Sequence, residues 1–172
     1  MAQRRAVVAR RRVATEDEAK ALASPLRLRI LRVCLHEPHS NKEIAAALGK
    51  DPATVLHHVR KLVDTGFLEA LPVRRGTRGS REIPYRATRQ SWHVSVPAQG
   101  KVLLDTFLEE VALVPAEDLN TARLGLRLSE ERRTEFEQRL ESLLNEFAAD
   151  PDDPSGESWS VFLALHPDPN RG

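Results

Sequence analysis

Residues 40–66, SNKEIAAALGKDPATVLHHVRKLVDTG, narrow the possible folds sharply, because they spell two short helices with almost no linker between them. Ser40 and Glu43 form a capping box in which each side chain can satisfy a backbone N–H orphaned at a helix start, so a helix is predicted from Asn41. Its apolar face is Ile44, Ala45 and Leu48. Gly49 provides the permissive backbone of a sharp helix exit, and Asp51 with Pro52 is a cap and first-turn pair for the next helix. At ~100° per residue, Val55, His58, Val59 and Leu62 share one side of that second helix and are predicted to face the core. The opposite side carries Ala53, His57, Arg60 and Lys61, with Thr54 and Leu56 on the shoulders.

A basic hairpin directly after this helix turns an ordinary polar face into a candidate binding face. Phe67–Val73 can form a strand, Arg74–Arg81 (RRGTRGSR) holds two glycines suited to a turn, and Glu82–Thr88 can return as a second strand. Arg74, Arg75, Arg78, Arg81, Arg86 and Arg89 crowd this hairpin. Pro72 and Pro84 lack a ladder donor, so the strands are predicted to be short or edge-like, as suits a wing rather than a buried sheet. Two abutting helices and a basic hairpin are the order needed to seat one helix in a DNA major groove while the hairpin holds flanking backbone. A merely solvated charge run is the plain alternative. The arginines are expected to meet phosphates, with one near the tip entering a minor groove.

Residues 19–89 resemble the winged-helix domain of ArsR-type bacterial transcription regulators. AKALASPLRLRIL is similar to the family's leucine, alanine, small residue, proline, x, arginine helix, and NKEIAAALGKDPATVLHHVRKLVDTGFLE to its helix-turn-helix with a His-His pair. The likeness implies a DNA-binding repressor, with His57 on the DNA side and His58 in packing. It also implies that a helix after the wing packs against its counterpart in a dimer.

Charge supports a division of labour. The 172 residues carry a net charge of only +1, yet up to residue 92 there are 19 Lys/Arg against 9 Asp/Glu, and from 93 onward 7 against 16. The first part is therefore at +10 and the second at −9, which suggests one nucleic-acid-facing half and one that avoids phosphates. With 41% hydrophobic and 30% charged residues the composition is that of an ordinary soluble chain, and no run approaches the ~18 apolar residues of a membrane span. Arg4, Arg5, Arg10, Arg11 and Arg12 bracket the short apolar patch Ala6–Ala9, too brief for a secretion signal, and residues 1–14 are expected to be a basic flexible arm reaching DNA backbone or a partner subunit.

A lone cysteine, Cys34, fits a reducing cytoplasm and is expected to be a small buried hydrophobe on the helix from about Pro25 to Leu35. Paired-thiolate metal sites are excluded within one subunit. Pro38 separates His36 from His39, and the adjacent His57 and His58 point ~100° apart on a helix, so no metal and no cofactor are expected. Catalysis finds no support: Glu130, Glu131, Glu135 and Glu137 lie on a helical face without a partnered histidine, and no phosphate-cradling glycine loop follows a strand.

The acidic half, residues 93–172, reads as a helix from about Ala98 to Val114 with a wide apolar face, Val102, Leu103, Leu104, Phe107, Leu108, Val111 and Val114. Residues 122–128, ARLGLRL, alternate like a half-buried strand; Ser129 opens a helix striped by Phe136, Leu140, Leu143, Leu144 and Phe147; Trp159, Val161, Leu163 and Leu165 alternate in a final strand. Strand, helix and strand form a unit too small to bury its faces unaided, so it is predicted to pair with the wing-following helix or with the same unit of a second subunit. A small apolar ligand near Trp159, Phe107 or Phe136 is a further expectation.

The predicted fold is thus α+β: a winged helix-turn-helix domain over residues 15–92, then a dimerisation helix and a small strand-helix-strand lobe over 93–172. The predicted function is a cytoplasmic, homodimeric repressor reading double-stranded DNA through Ala53, Thr54, Leu56, His57, Arg60, Lys61, Arg74, Arg75, Arg78 and Arg81. Arg78→Ala is expected to weaken binding to every sequence, and His57→Ala to change the preferred one. The rival reading is a winged helix kept as a protein-interaction module, without sequence-specific DNA binding.

Overall fold

The computed structural model describes residues 11–76, 79–96, 100–153 and 155–169. They fall into two units, Arg11–Glu109 and the described part of Glu110–Gly172. The first unit contains strand β1 (Arg12–Val13), helices α1 (Glu16–Leu22) and α2 (Pro25–Val33), strand β2 (His39–Ser40), helices α3 (Asn41–Leu48) and α4 (Pro52–Asp64), strands β3 (Leu68–Ala70), β4 (Arg74–Arg75), β5 (Arg81–Glu82), β6 (Pro84–Ala87) and β7 (Val94–Ser95), and most of helix α5 (Gly100–Val111). Helix α6 (Glu130–Ala149) belongs to the second.

Each helix of the first unit up to α4 starts on a side-chain cap: Thr15, Ser24, Ser40 and Asp51 accept hydrogen bonds from backbone N–H groups of α1, α2, α3 and α4 respectively. Thr15 with Glu18 and Ser40 with Glu43 are complete capping boxes. The helices close over one apolar core made of Ile30 and Leu31 from α2, Ile44 from α3, and Val55, Val59 and Leu62 from α4, floored by Phe67 and Leu68. Cys34 lies in this core with no exposed surface, and burial pushes its thiol up to about 12, as expected of a structural rather than a reactive cysteine.

The sheet differs from the predicted hairpin in two ways. Its order is β2-β6-β3, antiparallel throughout, so β6 is a central strand and not an edge. Pro84 is tolerated because it is the first residue of β6, is buried opposite Ser40, and uses its carbonyl to accept from Leu71 N at 2.8 Å. Pairing then lapses over residues 72–73, at Pro72, and resumes as β4 against β5, with Arg74 opposite Glu82 and Arg75 opposite Arg81. Arg74, Arg75 and Arg81 therefore sit on strands, and the turn shrinks to residues 76–80, with Gly79 in the left-handed region at φ 77°.

A parallel pair also forms where an arm was expected. Arg12 pairs with Val94 and Val13 with Ser95, Ala14 N donates to Ser95 O at 3.0 Å, and the Arg11 guanidinium stands 4.2 Å from the centre of the Trp92 ring. Residues 11–14 are thus held against the far end of the winged helix, through contacts some eighty positions apart that no local pattern announces. The rest of the expected arm, residues 1–10, lies outside the described residues.

Helix α5 forms within the predicted range, with Thr106 buried and Leu103, Leu104 and Leu108 exposed. In the second unit α6 forms from the predicted Ser129 cap, but the strands predicted at 122–128 and 159–165 do not: neither segment joins a ladder. Alternation sorts side chains to two faces; it cannot supply the neighbouring backbone that a strand must hydrogen-bond. Among the described residues no helix is long and apolar enough to cross a membrane.

Candidate nucleic-acid interface

The junction of α3 and α4 is set by three local devices. Gly49 ends α3 in the left-handed conformation, φ 60° and ψ 39°, with Lys50 N donating back to Ala45 O at 2.9 Å. Asp51 Oδ1 accepts from Ala53 N at 2.8 Å and Thr54 N at 3.2 Å, starting α4 two residues after the exit of α3. Asn41 Nδ2 then donates to Pro52 O at 2.8 Å, tying the first residue of α3 to the first of α4.

Helix α4 divides as its sequence predicts. Val55, Val59 and Leu62 are fully buried, while Ala53, Thr54, His57 and Arg60 are exposed and Leu56 is half-buried on the shoulder. The His57 and His58 rings meet edge-on, 5.7 Å apart, with His57 exposed and His58 half-buried. His58 points inward: Arg27 Nη1 lies 3.2 Å from its Nδ1, and because a guanidinium only donates, that nitrogen is the acceptor and the ring is neutral with its proton on Nε2. Burial first, then the Arg27 and His57 charges, hold His58 below the ordinary histidine value. The same guanidinium donates to the Lys20 and Ala21 carbonyls at the end of α1, so Arg27 joins α1, α2 and α4. Its role has no signature in the sequence beyond its place in SPLRLRIL.

Two predicted contact residues are already engaged within the molecule. Lys61 Nζ is 3.3 Å from Asp17 Oδ1 on α1 and is only 35% exposed, and Arg74 Nη2 is hydrogen-bonded to Glu43 Oε2 at the start of α3. Lys42 reaches Glu82 on β5 at 3.8 Å, so two ion pairs run from α3 to the hairpin. The Ser40 backbone N–H, with Arg74 as a lesser cause, holds the Glu43 carboxyl below the usual range. Arg86 pairs with Glu69 across β6 and β3 at 2.8 Å. Arg75 and Arg81 are exposed on facing strands of the wing, whereas Arg78 lies outside the described residues. The missed partners, Asp17, Glu43 and Glu82, carry one weak clue: each is an acid within an otherwise basic half.

In the second unit, Trp159 is 74% exposed and Phe136 half-buried, and a concavity of about 550 Å³ is lined by Ser129, Glu130, Glu131, Thr134, Glu135 and Gln138 on one polar helix face. The predicted apolar ligand site gains nothing from that lining.

Two helices packed over a shared core, an outer α4 face open to solvent and a β-hairpin after it define a winged helix-turn-helix fold. The family comparison agrees: residues 22–69 match the helix-turn-helix domain family. No curated protein matches. Among solved structures, the chain is similar to the homodimeric winged helix-turn-helix DNA-binding domain (fragment 1–100) of Mb0332 from Mycobacterium bovis, a possible ArsR-family transcriptional regulator, at 28% identity over 53% of this chain and 78% of that one, TM-score 0.36. It is also similar to MarR, at 18% identity over 75% and 82% of the two chains with TM-score 0.37. Lactococcus lactis ZitR in complex with DNA is a third, at 19% identity over 72% and 75%, TM-score 0.32.

Proposed function

We propose that the chain is a cytoplasmic, homodimeric, sequence-specific repressor that lays α4 of each subunit into successive major grooves of an inverted repeat, with half-sites ~34–36 Å apart. The observation that carries this reading is the solvent-facing row of Ala53, Thr54, His57 and Arg60 on α4, backed by a fully buried apolar row on the same helix. Thr54 and His57 read base edges, Ala53 or Leu56 touches thymine methyls, and Arg60, Arg75, Arg78 and Arg81 hold phosphates. Lys61 and Arg74 join them only by giving up Asp17 and Glu43, so each contributes less than an uncommitted cation would.

The test is selection of bound sequences from a random duplex pool with the full chain. A two-fold-symmetric site with half-sites one turn apart is the expected result; a pool that stays random sinks the reading. The rival, a winged helix used for protein interaction, requires that no duplex be preferred at moderate salt.

A further inference from the structure

We propose that residues 113–165 are the surface through which two copies of this chain join. Segments 122–128 and 159–165 become strands only there, each pairing with the other segment of the second copy in a sheet covered by two copies of α6. This rests on the homodimer reading and names the surface that closes the dimer.

Three observations point to a second copy. The first is the amount of apolar surface left open. Eleven large apolar side chains between Leu113 and Leu165 are each 39% or more exposed, whereas among the described residues of 11–96 only Val13, Val73 and Ile83 are. At about 100–200 Å² per side chain of this size, eleven of them leave on the order of 1,000 Å² open. Gathered onto one face, that area would reach the ~800 Å² that each partner brings to a standard interface.

The second observation is a strand count. One chain offers two alternating segments around one helix, and two strands are short of the three or more that an independent sheet needs; two chains offer four strands and two helices. A two-fold axis makes every such contact twice, so a single apolar face suffices. Pairing of 122–128 with its own copy about Gly125 would set Arg123 opposite Arg127, a like-charge pair. Segment 159–165 instead offers Ser160, Phe162 and Ala164 between its apolar positions, with no charge to oppose those arginines.

The third is the charge on α6. Arg132 and Arg139 both pair with Glu135, and Arg133 Nε lies 3.9 Å from Glu137, so the arginines of α6 are engaged along the helix itself. Leu143 and Phe147, 50% and 68% exposed, have no such local partner and suit an apolar one.

The experiment combines amide hydrogen exchange of the full chain at several concentrations with sedimentation equilibrium of the wild type, Leu126→Lys and Val161→Lys. Amides of 122–128 and 159–165 are expected to be protected, and increasingly so as concentration rises. Each variant is expected to dimerise at least tenfold more weakly, while α2 and α4 exchange as in the wild type. Variants that dimerise like the wild type with 122–128 unprotected overturn the proposal and leave the homodimer reading standing. Protection independent of concentration overturns it too, since the segments would then pair within one chain. A wild type that is monomeric throughout overturns both. Should a substitution disturb α2 or α4, the wild-type concentration series alone decides.

Discussion

Single residues do two kinds of work here, closing local backbone and linking elements. Arg89 is the one residue other than glycine with positive φ among those described, at φ 62°, just after the second wing strand. A side chain in that region costs roughly 1–2 kcal/mol, partly offset by the greater freedom of glycine in the unfolded chain, so Arg89→Gly should raise stability by about 0.5–1 kcal/mol. A rise in urea midpoint at unchanged slope is the expected reading. His58 sets a pH dependence. Its folded value is below 6.5, so as pH falls through 6.5 the unfolded chain takes up the proton first, and the stability present above that pH declines. Between pH 7 and pH 5 the melting temperature should fall, and fall less in His58→Gln. Glu18 acts at lower pH: the hydrogen bond from Arg12, then the Thr15 N–H, hold it at about 2, so its contribution persists above the usual 4.5 and fades between there and 2.

At the scale of elements, α4 combines a chemically specified start with an outer face that touches little of the molecule. Asp51→Ala orphans the Ala53 and Thr54 N–H groups and should cost about 1 kcal/mol, while Asp51→Ser should recover most of it. Chemical denaturation of the three proteins tests this; equal stability would mean that packing, not the cap, starts the helix. The caps at Ser40 and Asp51, the Gly49 exit and the inner row of α4 were all legible in the sequence, because each depends on residues within four positions of one another. The wing was legible only in outline. Which arginines lie on strands depends on where Pro72 interrupts pairing, and β6 is central only because β2, more than forty residues earlier, pairs with it. The segments 122–128 and 159–165 mark the limit of periodicity, since their pattern is that of strands and their single-chain structure is not.

Across the whole molecule the charge is divided, +10 up to residue 92 and −9 after it, and the basic share is where the candidate contacts lie. If two subunits each bring Arg60, Arg75, Arg78 and Arg81 to phosphates, about eight counterions are displaced, and log affinity should fall with log salt at a slope on the order of −7. Arg75→Ala should flatten that slope in a titration series without altering the preferred sequence, whereas His57→Ala should change the preference; the reverse pattern would refute the assignment of faces. The core of the winged helix is shared by α2, α3, α4 and the sheet, so truncating Phe67, 1% exposed, should cost about 3–5 kcal/mol and loosen all of them together. The positions of α2 to α6, the caps at Ser40, Asp51 and Ser129, the buried row of α4 and the basic character of the hairpin were determined by sequence alone, because neighbours along the chain settle them; α1 with its Thr15 cap was not foreseen. Which cations are spent on Asp17 and Glu43, how residues 11–14 are held and which strand is central were decided only by the tertiary structure. Those outcomes depend on groups that folding brings together from distant positions, and no local pattern records the meeting.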